Sequence, residues 1–467
     1  MGIIEGFSFQ AKNLSYEIIN FLNEQNIDQI ARETGFVQRK RKLSGFQFFD
    51  MLMFTHFNHK ELSLNDLSAQ LLLRYGIEIS SQSIDERFTE LAVVFFKTIL
   101  KSFLRKAILQ DQEQNINFTE YDRIRIKDST SFQLPKEMEE KYKGSGGASS
   151  VACIRIQFEY DLKSGDILDL SLHPFNVQDT TNAGKTIDDI NVNELAIRDL
   201  GYIKIGYLEK IQQKGAFYLN RLHSGTNAYE IKDGEYLKID FGRLYNKMRK
   251  NKITCMEKEV YLGSKERFKT RMIIEVLPED KYQERARKLK RKASKNSRNI
   301  GKEAKARMAL NIFVTNTDIA IDKVRPLYAL RWQIELMFKI WKTIGEIHKV
   351  KKMRIHRFEA YLFAKLIWIV IHWKLMWKII AYYFNRHNFE ISPYKLFKTF
   401  KNNLMDFRAA VYKGFGDLFN FIFKMADISY RNHKSEKKQK GGAWSYDIIR
   451  IFIRNKKPDI QVVTGLT

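Results

Sequence analysis

Residues 122–130 read DRIRIKDST, and the texture of the chain changes at this point. Ile124 and Ile126 alternate with basic residues, and alternation with a period of two is typical of a β-strand. Two further alternating runs, VACIRIQFEYDL (151–162) and ILDLSLHP (167–174), are separated by the turn residues SGD. These three segments predict three antiparallel strands, of which the second and third form a hairpin.

The sequence after the hairpin predicts a mixed α/β fold. A polar, helical segment spans residues 182–199, and GAFYLNRL (215–222) predicts a fourth strand. Residues 223–280 contain four shorter alternating runs, and residues 281–308 are strongly basic and typical of a helix. LNIFVTNT (310–317) predicts the last strand of the core sheet. A β-rich insertion followed by a basic helix therefore lies between the fourth and the fifth core strand.

Residues 1–118 have apolar residues at intervals of three and four, which predicts a helical region. Residues 64–75 form one predicted helix, with Ser63 as its N-cap and a glycine at its end. The run SSQSIDERFTELAVVFFKTIL predicts a second helix, capped by Ser81 or Ser83. Helix, short turn and helix is the pattern of a DNA-reading motif, but any helical hairpin shares it.

The charge balance favours a polyanionic partner. The chain of 467 residues has 80 Lys and Arg against 54 Asp and Glu, a net charge of +26. Such a chain binds nucleic acid by neutralising phosphates, although a solvated basic surface or an anionic membrane would also accommodate this charge. Two cysteines argue against a disulfide framework and against a cysteine-rich zinc site.

The N-terminus, MGIIEGFSFQAKN, lacks the basic and apolar segments of a signal peptide. The most apolar stretch, residues 361–384, is interrupted by three lysines and a histidine, which predicts a buried amphipathic helix and no membrane span. We therefore expect a cytoplasmic protein that acts on nucleic acid.

Two aspartates lie where the predicted core elements end. Asp128 shares a strand face with Ile124 and Ile126, and a carboxylate at the end of a buried face needs a partner or a metal ion. Asp199 precedes Gly201 and a predicted helix at 203–214. Taken alone, Asp128 is equally well a turn residue and Asp199 an ordinary N-cap.

The run YALRWQIELMFKIWK carries a polar stripe on a predicted helix. Tyr328, Glu335 and Lys342 are spaced by seven, and Arg331 follows Tyr328 by three, so all four share one face of a single helix. Polar residues at these positions are unusual among so many apolar neighbours. The alternative is a simple ion pair between Arg331 and Glu335, which stabilises a helix by roughly 0.3–0.5 kcal/mol.

The spacing Tyr328-x2-Arg331-x3-Glu335-x6-Lys342 resembles in full the signature of one bacterial group of DDE transposases, insertion sequence family four. The contexts of Asp128 and Asp199 are similar to the aspartate motifs of that group. The resemblance spans roughly residues 120–380. It implies an RNase H-like catalytic core whose third acid follows a β-rich insertion, with helical regions on both sides.

The resemblance also implies a chemistry and its partners. Asp128, Asp199 and Glu335 would be the catalytic, metal-binding acids, and two Mg²⁺ ions (with Mn²⁺ as a substitute) would bind them. Tyr328, Arg331 and Lys342 would bind DNA phosphates. The partners would be double-stranded DNA, both element ends and target, and a second copy of the chain in a homodimer.

Two other functions stay open at this point. A metal-dependent nuclease would cut DNA without joining it to a target. A non-catalytic DNA-binding protein derived from a transposase would not need Glu335.

The predicted domains are a helical DNA-binding domain (1–118), a first part of the catalytic core (119–222), the β-rich insertion with the basic helix (223–308), a second part of the core (309–350) and a C-terminal helical region (351–467).

Overall fold

The structure is a computed structural model that describes residues 6–39, 42–55, 63–108, 121–146, 151–295 and 301–436. Parts of two predicted domains, residues 109–118 and 437–467, lie outside the described residues. The chain divides into two compact units. Of the described residues, unit 1 contains those up to 108 and residues 130–146, 151–176 and 335–436, and unit 2 contains residues 121–129, 177–295 and 301–334.

Unit 1 is mainly helical. Its helices before residue 109 are α1 (Ser8–Leu22), α2 (Glu24–Glu33), α3 (Gly45–Thr55), α4 (Leu64–Tyr75), α5 (Ser81–Asp85) and α6 (Glu90–Ile108). Its later helices are α14 (Ile355–His387), α15 (Pro393–Asn402), α16 (Leu404–Lys413) and α17 (Phe415–Asn432).

The helices of unit 2 are α7 (Asp179–Thr186), α8 (Ile205–Gln213), α9 (Phe241–Lys250), α10 (Glu279–Lys295), α11 (Lys302–Met308) and α12 (Ile321–Ala329). Helix α13 (Trp332–Thr343) begins in unit 2 and continues in unit 1.

Helix α4 has the predicted boundaries. The Ser63 hydroxyl accepts from the backbone N–H of Asp66, whose carboxylate accepts from Ser63 in return, and Gly76 ends the helix with a φ of 64°. The second predicted helix is wrong as a single element, because the chain forms the short α5 and then α6. Ser80, one residue before the predicted caps, accepts the N-terminal hydrogen bond of α5.

Helix α14 is the long apolar helix predicted around residues 361–384. Its lysine and histidine positions Lys365, His372 and Lys378 are buried within unit 1. A membrane crossing needs a longer uninterrupted apolar run than any described helix provides.

The strands are β1 (Arg123–Gln133), β2 (Cys153–Asp161), β3 (Ile167–Pro174), β4 (Glu194–Arg198), β5 (Phe217–Arg221), β6 (Ala228–Lys232), β7 (Glu235–Lys238), β8 (Cys255–Leu262), β9 (Phe268–Val276) and β10 (Leu310–Thr315). In unit 1, β2 pairs with β3 in the predicted antiparallel hairpin. In unit 2 the strands follow the order β1, β4, β5, β10, β9, β8, β6, β7 across the sheet.

Strands β1, β4 and β5 of unit 2 are parallel, and β10 is antiparallel to β5. The helix predicted over residues 182–199 is therefore only partly correct, since α7 ends at Thr186 and residues 194–198 form β4. Strands β6 to β9 of the predicted insertion extend the same sheet beyond β10. The insertion also contains α9, which the alternating pattern of its neighbours did not predict.

Both faces of β1 are buried. Ile124 and Ile126 are fully buried, as predicted, but Arg125 and Lys127 on the opposite face are buried too. Arg125 forms an ion pair of 2.9 Å with Glu194, and the Lys127 ammonium donates to the Thr186 hydroxyl at 3.1 Å. The alternation of apolar and basic residues thus separates two packed faces of the strand, with the cations held by polar partners.

Candidate active site

The register of the parallel strands places two acids side by side in unit 2. Lys127 of β1 pairs with Arg198 of β4, so the next residues, Asp128 and Asp199, stand at the same level of the sheet. Neighbouring strands lie about 4.8 Å apart, and residues in register project to the same face. The two carboxylates therefore start from adjacent positions, and both residues are half-buried.

Arg331 holds the first of these acids. Its Nη1 lies 2.7 Å from Asp128 Oδ2, and the two side chains are only 8% and 18% exposed. The other carboxylate oxygen, Oδ1, accepts from the backbone N–H of Ser129 at 2.8 Å. Short, charge-assisted contacts of this kind fix the orientation of a carboxylate.

Tyr328 holds the second acid. Its hydroxyl donates to Asp199 Oδ1 at 3.3 Å, and its ring packs against Phe313 of β10. Burial, together with the charge of Asp199, raises the pKa of Tyr328 well above its ordinary value. The phenol therefore stays protonated and keeps its role as a hydrogen-bond donor.

Arg221 is a residue of this site that the sequence reasoning missed. Arg198 of β4 pairs with Asn220 of β5, so Arg221 stands at the level of Asp199 and on the same face. It also lies near enough to Tyr328 to influence the pKa of the phenol. The available signal was its position at the end of GAFYLNRL, which corresponds to the position of each aspartate after its own strand.

We name these five residues of unit 2 the strand-end cluster: Asp128, Asp199, Arg221, Tyr328 and Arg331.

The polar stripe of residues 328–342 lies on two helices, so the prediction of one helical face is wrong. Tyr328 belongs to α12, while Glu335 and Lys342 belong to α13. Between the helices, the backbone N–H groups of Leu330 and Arg331 bond to carbonyls three residues back. This tighter turn interrupts the α-helical ladder and leaves Arg331 at the start of α13.

Glu335 and Lys342 belong to unit 1. Glu335 is half-buried in the first turn of α13, where the helix dipole favours a negative charge. The spacing of seven puts Lys342 two turns later on the same side of the helix. Its ammonium donates to the Ser131 carbonyl at 2.9 Å, and burial lowers its pKa.

Asp128 and Asp199 fit a hard divalent cation by their chemistry. Mg²⁺ prefers oxygen ligands and is commonly held by one or two carboxylates together with substrate phosphates. Among the residues that the structure describes, no group of three or more His, Cys, Asp or Glu side chains is arranged to hold a metal ion. The pair at the strand ends is thus the set of donors that the fold itself places together.

Comparison with known proteins identifies the family. The model of the transposase DDE domain matches residues 121–371, which is more than half of the chain. The chain is 30% identical over 445 residues to the transposase for insertion sequence element IS231B of Bacillus thuringiensis subsp. berliner, covering 91% of this chain and 93% of that protein. It is 29% identical over 425 residues to the transposase for insertion sequence element IS1151 of Clostridium perfringens, covering 86% and 89%.

Among solved structures, a piggyBac transposase synaptic complex with hairpin DNA is similar with a TM-score of 0.44 and 10% identity, over 93% of this chain and 87% of that one. The family match and the near-complete coverage of the insertion-sequence relatives together show that the chain belongs to the transposases with a DDE domain.

Proposed function

We propose that this chain is the transposase of a bacterial insertion sequence, which cuts the ends of the element and joins them to target DNA. The single observation that carries the proposal is the register of β1 and β4, which sets Asp128 beside Asp199 within the matched domain. Its basic composition, with a net charge of +26, suits a protein whose substrate is DNA.

The carboxylates of Asp128, Asp199 and Glu335 are the proposed metal ligands. The support for Glu335 is the sequence motif, in which it follows Arg331 by four residues at the start of α13. We propose Mg²⁺ as the natural ion, in two copies, with Mn²⁺ as a substitute. Such ions, when bound, activate a water molecule and stabilise the leaving oxygen.

The reaction needs two displacements at phosphorus. Water attacks the phosphodiester at the element's end, and the 3′ oxygen leaves as a hydroxyl. That hydroxyl then attacks a target phosphodiester, forms the new bond to phosphorus and releases the target's own 3′ oxygen. The chain forms no covalent bond with DNA in either step, so its residues need only hold the phosphates, the metal ions and the nucleophile in line.

Tyr328, Arg331 and Lys342 are the proposed phosphate ligands. The guanidinium of Arg331 presents a fork that matches phosphate geometry, and Lys342 supplies a point charge. The Tyr328 hydroxyl is a permanent donor beside Asp199. Each of the three binds a protein oxygen in the structure, so DNA binding would exchange that partner for a phosphate oxygen or share it.

The remaining parts of the proposal concern fold and assembly. The antiparallel hairpin β2–β3 and the parallel strands β1, β4 and β5 are consistent with an RNase H-like core. Two element ends have to be cut together, so a homodimer on DNA is the proposed active form. The predicted domains and a cytoplasmic location stay part of the same proposal.

The test is a cleavage and joining assay with element-end DNA, a target plasmid and Mg²⁺ or Mn²⁺. Asp128→Asn, Asp199→Asn and Glu335→Gln keep the shape of each side chain and remove its charge. Loss of an outer-sphere partner commonly costs 10–100-fold, so loss of a metal ligand should lower both steps by more than about 100-fold. Glu209→Gln, on the exposed side of α8, is the matched control.

Each outcome separates the proposal from its alternatives. Native protein that cuts but never joins is a nuclease, and native protein that binds without cutting is a DNA-binding protein only. A variant of any of the three acids that retains full activity removes that residue from the proposed set.

A further inference from the structure

Helix α9 of the insertion has one face in the core of unit 2. Phe241 and Met248, which are spaced by seven, are buried, and Leu244 between them packs against the same core. The Asp240 carboxylate caps the helix by accepting from the backbone N–H groups of Gly242 and Arg243. The helix is therefore held in one orientation, and its other side is presented to solvent.

The solvent side of α9 carries a row of cations. Arg243, Lys247 and Lys250 are exposed and follow one another at spacings of four and three, which aligns them along one face. We name these three residues the basic stripe. Arg243 is 91% exposed, and its ion pair with the half-exposed Asp240 has an N–O distance of 3.5 Å.

Acidic residues are absent from this stretch of the sequence. Residues 241–256 contain five Lys and Arg and no Asp or Glu. Helix α11, which packs against α9, adds Lys305 and Arg307 in its last turn. An ordinary solvated helix mixes both signs on its exposed face, so a row of one sign indicates an anionic partner.

The length of the basic stripe matches a DNA backbone. Seven residues of helix span about 10 Å at 1.5 Å per residue. One DNA strand carries a phosphate for roughly every 3.4 Å of helix axis, so this length corresponds to about three phosphates. We propose that the basic stripe of α9 is a second DNA-contacting surface, which binds the phosphate backbone of duplex DNA outside the strand-end cluster.

This inference rests on the proposed function, and it assigns to the insertion a share of the DNA affinity. Each neutralised phosphate changes the slope of log K against log salt by about 0.9, so three contacts account for a slope of about 2.7. Raising the salt from 50 to 200 mM should therefore weaken native binding about 40-fold more than binding by a protein without the basic stripe.

The experiment measures binding of a labelled element-end duplex by fluorescence anisotropy across that salt range. The test variant is Arg243→Gln/Lys247→Gln/Lys250→Gln, and its exposed positions and the helix-compatible glutamine should leave the melting temperature unchanged. The matched control is Lys398→Gln/Lys413→Gln/Lys424→Gln, which removes the same charge from exposed positions on α15, α16 and α17. We expect the slope to fall by about 2.7 in the first variant and to stay within about 0.5 of native in the control.

Three results would overturn the inference. An unchanged slope in the test variant excludes phosphate contacts, and an equal fall in the control assigns the effect to net charge alone. Binding of phosphatidylserine vesicles that depends on the basic stripe, without any effect on DNA, assigns the surface to membranes. Loss of cleavage in Glu335→Gln with a native salt slope tests the proposed function separately, because that variant keeps the basic stripe.

Discussion

Removal of the Arg331 charge should destabilise unit 2 through Asp128. Arg331→Gln leaves a carboxylate that is 18% exposed without the guanidinium that lies 2.7 Å away. Asp128→Asn removes the other charge of the pair. The double variant removes both charges and leaves two neutral amides in the same place.

The magnitude follows from the geometry of the pair. Two unit charges 2.7 Å apart attract by about 6 kcal/mol at an effective dielectric constant of about 20, but desolvation of both groups offsets most of this. Removing one partner of a buried pair costs about 3–5 kcal/mol in the free energy of unfolding. Water can still reach part of Asp128, so we expect about 3 kcal/mol for Arg331→Gln, which lowers the melting temperature by roughly 6–12 °C.

The assay is calorimetric melting of the native protein, both single variants and the double variant. The double variant should be more stable than the sum of the single effects indicates, by at least about 1 kcal/mol. Arg325→Gln is the matched control, because its ion pair with Glu275 is half-exposed and should contribute less than about 1 kcal/mol. The reasoning is wrong if Arg331→Gln shifts the melting temperature no more than this control does, or if the two single effects simply add.

Two further predictions concern Tyr328 and His372. Tyr328→Phe removes the donor to Asp199, a hydrogen bond to a charged group worth roughly 1.5 kcal/mol, so the cleavage rate should fall about tenfold with little change in melting temperature; an unchanged rate would show that the hydroxyl has no part in the reaction. Burial lowers the pKa of His372 from 6.5 to about 3, so the native state holds it neutral while the unfolded chain takes up a proton below pH 6.5. Stability is therefore complete above pH 6.5 and is lost as the pH falls towards 3, by roughly 1.4 kcal/mol at pH 5.5, and His372→Phe should lose that much less between pH 7.5 and pH 5.5 in denaturant titrations; an equal loss in native protein and variant would contradict it.

The sequence predicted the strands with clear alternation. β1 and the hairpin β2–β3 lie where expected, since a period of two identifies a strand wherever the alternation is long enough. β4 was missed because its five residues, ELAIR, are too few to show a period and follow a polar run. α9 was missed because GRLYNKMRK has its apolar residues only at wide intervals within a β-rich region.

Tertiary contacts decided what local patterns could not. The sequence located Asp128 and Asp199, but only the register of β1 and β4 makes them neighbours. The cations of β1 looked like an exposed face, and they are buried because Glu194 and Thr186, far along the chain, accept their hydrogen bonds. The turn at Arg331 likewise has no signal in its own residues.

The account's central claim is that Asp128 and Asp199 bind the divalent ion that drives DNA cleavage. The most direct test is anomalous diffraction from crystals of the chain with element-end DNA and Mn²⁺. The account predicts an anomalous peak at roughly 2.1–2.3 Å from a carboxylate oxygen of each aspartate, close to the oxygen distance of Mg²⁺. A manganese ion bound to the cleaved DNA end with neither aspartate among its ligands would contradict it.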